Sequence, residues 1–125
     1  MIMERVSAKA KGNAGEDKAV VFLEKNGYII LKRNFKKPFG EVDIIGRKDD
    51  VLVFAEVKSW NHLDASSIGQ ALNRKKMRTI INISRAFLME NPSFNDFHIR
   101  YDVIFIGREG ALSHIPSAFT EDETA

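Results

Sequence analysis

The sequence contains no cysteine, which excludes disulfides and thiolate metal sites outright. Its three histidines, His62, His98 and His114, lie far apart with no paired spacing. Any bound metal is therefore expected to be a hard ion held by oxygen, such as Mg²⁺ or Mn²⁺. No apolar run approaches the ~18 residues that a membrane span needs. The N-terminal stretch MIMERVSAKAKGNAGED also lacks the apolar core of a signal peptide. A cytoplasmic protein without a membrane partner is expected. Internal repeats and low-complexity segments are missing as well.

The 125 residues suit one domain, expected over 1–119, with an acidic, disordered tail over 120–125. A chain of this size buries about two-thirds of its unfolded surface. The formal net charge is only +2, but Glu121, Asp122 and Glu123 place three of the 17 acids in the tail. The body is correspondingly more basic, which is compatible with a nucleic-acid partner.

The centre of the chain is Gly40–Lys58, GEVDIIGRKDDVLVFAEVK, which reads as two strands around a charged turn. Asp43 lies among Val42, Ile44 and Ile45, and Glu56 and Lys58 follow Val51–Ala55. Carboxylates inside such apolar runs are costly unless something pairs with them. Period two places Glu41, Asp43 and Ile45 on one strand face, with Val42 and Ile44 opposite. It places Leu52, Phe54, Glu56 and Lys58 together, with Glu56 and Lys58 about 6.6 Å apart along the strand. Two acids and an amine on facing strands suggest a shared divalent cation, with the Val57 carbonyl as a further ligand. The competing reading is a structural salt bridge on a half-exposed sheet.

Around this pair, a helix is expected from about Ser7 to Asn26, ended by Asn26-Gly27. Its stripe of Ala19, Val20 and Leu23 carries Glu16 inward, while Asp17 drifts to the flank. Glu16 can then hold a metal-bound water or a second ion, or remain a solvated acid at a helix start. Tyr28–Phe35 reads as a strand. A long helix from Ser66 or Ser67 to about Glu90 has Leu72, Ile80, Ile83 and Phe87 on its buried stripe. Ile99–Gly107 is a further strand, Leu112–Ile115 a short one, and Pro116 onward a weakly ordered tail. The order helix, three strands, helix, strand implies an α/β fold with helices on a mixed sheet.

Lys32, Arg33, Lys75, Lys76 and Arg78 are expected to position phosphates without reading bases. Lys58 would orient the attacking water or stabilise the transferring phosphate, and Gln70 can hydrogen-bond that water or lie on plain helix surface. Trp60 either stacks on a base or packs over the sheet edge. Glu41 is expected to pair with Lys37. Asp102 is expected to pair with Arg100 or a loop amide and is left out of the site.

Several stretches together carry a resemblance: Gly12-Asn13-Ala14-Gly15-Glu16, Asn26-Gly27-Tyr28, Arg33-Asn34-Phe35 and Gly40-Glu41-Val42-Asp43. Glu56-Val57-Lys58, Lys76, Arg100-Tyr101-Asp102-Val103, and His114-Ile115 with Ala118-Phe119 complete the set. The chain resembles the bacterial YraN-like family, which is placed with the PD-(D/E)xK nucleases and is similar to archaeal Holliday-junction resolvases. The resemblance implies a restriction-endonuclease-like mixed central sheet flanked by helices. It also implies Asp43, Glu56 and Lys58 at the catalytic positions, with Glu16 at the helical acid of the resolvases. A metal-dependent endonuclease on branched or structured DNA, working as a homodimer, follows as the expected function. The alternative is a non-catalytic nucleic-acid-binding module that is accessory to recombination or repair. Val42 replaces the superfamily's proline, and Trp60 stands where the family usually has arginine.

Overall fold

Two helices cover opposite faces of a five-stranded sheet in the computed structural model, which describes residues 14–59 and 72–124. The elements run α1 (Ala14–Lys25), β1 (Ile29–Lys37), β2 (Gly40–Lys48), β3 (Val51–Ser59), α2 (Arg74–Glu90), β4 (His98–Ile106) and β5 (Leu112–Phe119). Strand order follows chain order, and every pairing is antiparallel except β3 with β4. That parallel pair needs a crossover, and α2 lies within it. The fold is α/β with a mixed sheet, as the sequence implies.

Alternation along β3 decides which side chains meet which helix. Leu52 and Phe54 pack with Ile80, Ile83 and Phe87 of α2, while Val53 and Ala55 pack with Ala19 and Leu23 of α1. Both faces of β3 are therefore covered, as expected for a strand in the middle of a mixed sheet. The buried side of α2 is Ile80, Ile81, Ile83, Ser84 and Phe87. Ser84 is tolerated there because its hydroxyl bonds Ile81 O at 2.6 Å and the Tyr101 hydroxyl at 2.8 Å.

Three expectations change. The helix α2 does not run unbroken from Ser66 or Ser67. It starts at Arg74, and the Asn73 side chain caps it by accepting from Lys76 N at 2.8 Å. The end of the chain past Pro116 is not a weakly ordered tail. Strand β5 continues to Phe119, which is buried and stacks on Tyr101 at 5.1 Å. Proline is acceptable there because β5 is an edge strand that needs only one ladder. Beyond it, residues 121–124 form a 3₁₀ turn, with Glu121 bonded to Arg85 at 2.6 Å.

The third change is in β2. Val42 and Ile45 pack on the α2 side, whereas Ile44 packs on the α1 side. Strict period two is thus interrupted at Asp43. Asn34 lies opposite Asp43 in the register that joins Arg33 to Ile44 and Phe35 to Val42. Its φ of 52° is left-handed, a conformation that asparagine adopts more readily than most residues. The turn before β2 is held close to α2 by Gly40, where an added Cβ would overlap Thr79 Cγ2. Gly40→Ala is expected to lower stability by about 1–3 kcal/mol through overpacking, measurable by urea denaturation. An unchanged midpoint would show that the hairpin can move off α2.

A second polar centre lies under the sheet, on the α1 side. Asp102 is fully buried, yet it accepts from Arg100 Nε at 2.9 Å and Arg100 Nη2 at 2.8 Å. It also bonds His114 Nε2 at 2.7 Å and accepts from Ser117 N–H at 3.1 Å. Burial opposes ionisation of Asp102, but His114 and Arg100 hold its carboxyl below the usual range. Arg100 in turn donates to the Tyr28 hydroxyl at 2.6 Å. The expected pairing of Asp102 with Arg100 is present, and the cluster joins β4, β5 and the turn between α1 and β1.

Candidate active site

The strands β2 and β3 part where the candidate acids sit. Their ladder runs from Lys48 with Val51 to Ile44 with Ala55 and then stops. Beyond that point β2 stays with β1, and Glu56–Ser59 stay with β4. In the resulting fork, Val57 N–H donates to Asp43 Oδ2 at 2.7 Å in place of a backbone acceptor. Oδ1 of Asp43 has no hydrogen-bond partner among the described residues. Asp43 is thus oriented by one oxygen, and the other is left for a ligand.

Glu56 is buried one residue before Val57, on the α2 side of β3 with Phe54. Its Oε2 lies 3.1 Å from Lys76 Nζ. Burial and then the charge of Glu56 push the Asp43 carboxyl up to about 6, against the opposing pull of Val57 N–H and Lys76. Two close carboxylates share one nearby ammonium, an arrangement that a divalent ion would relieve. Lys58 follows Glu56 on the same face, half-buried, and among the described residues it joins no ion pair.

Glu16 is buried, as its place on the α1 stripe requires, while Asp17 is 39% exposed. Asn34 Nδ2 reaches both Glu16 oxygens at 3.2 and 3.1 Å, and Arg33 Nε reaches Oε2 at 3.2 Å. Burial raises the Glu16 carboxyl above its usual range despite these donors, and the Asp43 charge adds to the rise. Glu16 therefore lies within electrostatic reach of Asp43 while its oxygens are already bonded. Among the described residues, no three acids or histidines converge on a single ion position. The expected convergence of three acids is replaced by two carboxylates in the fork and a third behind them.

That donor set suits Mg²⁺ or Mn²⁺, which take a few carboxylate and carbonyl oxygens and keep several waters. Asp43, Glu56 and the Val57 carbonyl are the groups that would hold such an ion.

Two residues expected to bind phosphates are paired with acids of the chain. Arg33 is withdrawn from solvent by Glu16 and by Asp17 Oδ1 at 2.5 Å. Lys76 is not a freely solvated base but the partner of Glu56. The stripe of α2 already signals this, because Lys76 falls four residues before Ile80 and seven before Ile83. Lys32, Lys75 and Arg78 are exposed, as phosphate contacts would need. Glu41 pairs with Lys36 at 3.6 Å rather than with Lys37, which pairs with Glu90. Trp60 and Gln70 lie outside the described residues. The residue that sequence reasoning passed over is Asn34, whose left-handed turn and amide together support Glu16.

A family profile described as "Uncharacterised protein family UPF0102" matches residues 15–106. The chain belongs to family UPF0102. Among its UPF0102 relatives, a protein of Rhodopseudomonas palustris (strain BisB18) is 35% identical over 116 residues, covering 93% of this chain and 84% of the relative. One from Dictyoglomus thermophilum is 42% identical over 99 residues, covering 78% and 82% respectively. The UPF0102 fold is similar to that of Archaeoglobus fulgidus Hjc, described as a Holliday junction resolvase from an archaeal hyperthermophile. The TM-score is 0.53 at 18% identity, over 81% of this chain and 72% of that one. This similarity shows that the two chains share a fold. Among the described residues no helix is long and apolar enough to cross a membrane.

Proposed function

We propose that this protein is a divalent-metal-dependent endonuclease that hydrolyses phosphodiester bonds in branched or otherwise structured DNA. The observation that carries the reading is the fork itself. Asp43 and Glu56 are brought together there, the Asp43 carboxyl is pushed up to about 6, and Lys58 lies on the same face as Glu56. A strongly perturbed carboxyl beside a second acid marks a candidate functional site. The branched-DNA preference rests on the likeness to Hjc and is an analogy of fold.

A divalent ion, when bound, activates water and offsets charge on a phosphoryl oxygen. The chain's own residues do the rest. Asp43 is held in one orientation by Val57 N–H, so it meets a cation without rearranging. Glu56, fixed by the β3–β4 ladder at its pairing with Val103, supplies the second carboxylate. Lys58, two residues on along the same strand face, is placed to orient the attacking water or donate to the phosphate. Glu16, gripped by Arg33 and Asn34, stands behind as an anchored acid that can accept from a hydrating water. Lys32, Lys75 and Arg78 guide the DNA backbone by charge. Cleavage at two symmetric points requires two copies, so the active form is a homodimer.

The test is cleavage of an end-labelled four-way junction beside duplex and single-stranded controls, in Mg²⁺ or Mn²⁺. Junction cleavage is expected, with Lys58→Ala about 10²–10³ slower, the scale of losing one preorganised charge. Binding without cleavage by the unaltered protein would favour the accessory-module reading. A Lys58→Ala variant as active as the parent would remove the assignment of Lys58.

A further inference from the structure

The ammonium of Lys76 lies 3.1 Å from Glu56 Oε2, and Glu56 is one of the two carboxylates of the fork. Lys76 is carried by the first turn of α2 and is about one-third exposed, whereas Glu56 is buried. Its neighbours Arg74, Lys75 and Arg78 are exposed, so Lys76 stands between the acids and a basic helix face. A lysine is a point charge on a flexible four-carbon stem and can leave one partner for another. An ion bound to Glu56 and an ammonium at hydrogen-bond distance from the same carboxylate repel each other strongly at that range.

We infer that Lys76 is a resident counter-cation that a divalent ion displaces, and that the displaced side chain becomes a phosphate contact for DNA. Metal loading and DNA grip are thereby coupled through one side chain. Without metal, Lys76 keeps Glu56 neutralised and the fork closed to further cations. With metal, its charge turns outward to join Lys75 and Arg78. Lys76 is a positioning residue in this scheme, and the scheme rests on the metal-binding reading of Asp43 and Glu56.

Two measurements on the full-length chain test it. Calorimetric titration of Mn²⁺ into the DNA-free protein compares the parent with Lys76→Met and Lys76→Arg. Lys76→Met is expected to bind Mn²⁺ about tenfold more tightly, the effect of removing one close, screened positive charge. Lys76→Arg is expected to bind more weakly, because a guanidinium grips a carboxylate through two bonds and is harder to dislodge. The salt dependence of junction binding, measured by anisotropy in Ca²⁺ and in EDTA, tests the second half. The parent is expected to gain about 0.9 in slope with Ca²⁺ relative to Lys76→Met, one phosphate contact's worth. Equal Mn²⁺ affinity in all three proteins, or weaker binding by Lys76→Met, would overturn the inference and leave the metal site standing. If the parent itself takes up no Mn²⁺, the metal site and the inference fall together. Should Lys76→Met not fold, by circular dichroism, Lys76→Arg alone decides, since weaker binding is expected where charge conservation by itself predicts no change, and an unchanged affinity overturns the inference.

Discussion

Asp43→Asn is expected to slow metal-supported junction cleavage by about 10²–10³ while making the metal-free protein more stable. The two effects have one cause. Burial and the Glu56 charge raise the Asp43 carboxyl to about 6 from an ordinary 3.8. A carboxyl raised on folding contributes stability that is fully present below the unfolded value. That contribution is lost as pH rises through the folded value. At pH 4 the substitution should therefore change little. At pH 8 it should add about 1–3 kcal/mol, given roughly 1.4 kcal/mol per unit and a partly open site. Asparagine retains an oxygen for Val57 N–H, so the backbone bond survives. Added Mn²⁺ should reverse the order, stabilising the parent and not the variant. Urea melts at the two pH values, with and without Mn²⁺, read all of this. A variant less stable than its parent at pH 8 without metal would show that the Asp43 charge is already fully compensated.

Asp102→Ala is expected to be the most damaging single change outside the apolar core, costing about 3–5 kcal/mol. The carboxylate accepts from Arg100 twice, meets His114 and takes the Ser117 amide. Its removal leaves a guanidinium facing the buried side of the sheet without its anion, and an amide without its acceptor. The melting temperature should fall by about 10–20 °C for a domain of this size. Asp102→Asn should be milder, because an amide oxygen can still serve Ser117. A fall of only a degree or two for Asp102→Ala would mean that water replaces the carboxylate at low cost. Neither variant should alter Mn²⁺ affinity beyond the loss of folded protein, since the cluster contacts neither Asp43 nor Glu56.

Much of the architecture could be read from local patterns, because local patterns report which face is buried. Alternation in β3 correctly groups Leu52 and Phe54 against Val53 and Ala55, and the α1 stripe turns Glu16 inward. The same logic gives way at Asp43, where β2 changes facing opposite a left-handed Asn34. A single residue's φ leaves no trace in a hydrophobic period. Partners far apart in the chain were also hidden. Arg33 with Glu16, 17 positions away, and Lys76 with Glu56 are tertiary pairings, so a basic residue in sequence looked available for DNA. The start of α2 was misplaced because a serine is as good a cap by type as Asn73. The bond from Lys76 N–H to the Asn73 side chain marks the start of α2.

The match to UPF0102 ends at Ile106, yet the folded unit does not. Strand β5 comes after that boundary and brings His114 to Asp102 and Phe119 to Tyr101. A polypeptide stopped at residue 106 would keep every acid of the fork. It would nonetheless bare the flank of β4, leave a ladder's worth of amides unmet and uncover an aromatic ring. The family profile thus stops short of a strand that closes the sheet, and the floor beneath the fork's neighbouring strand is completed by residues the profile leaves out.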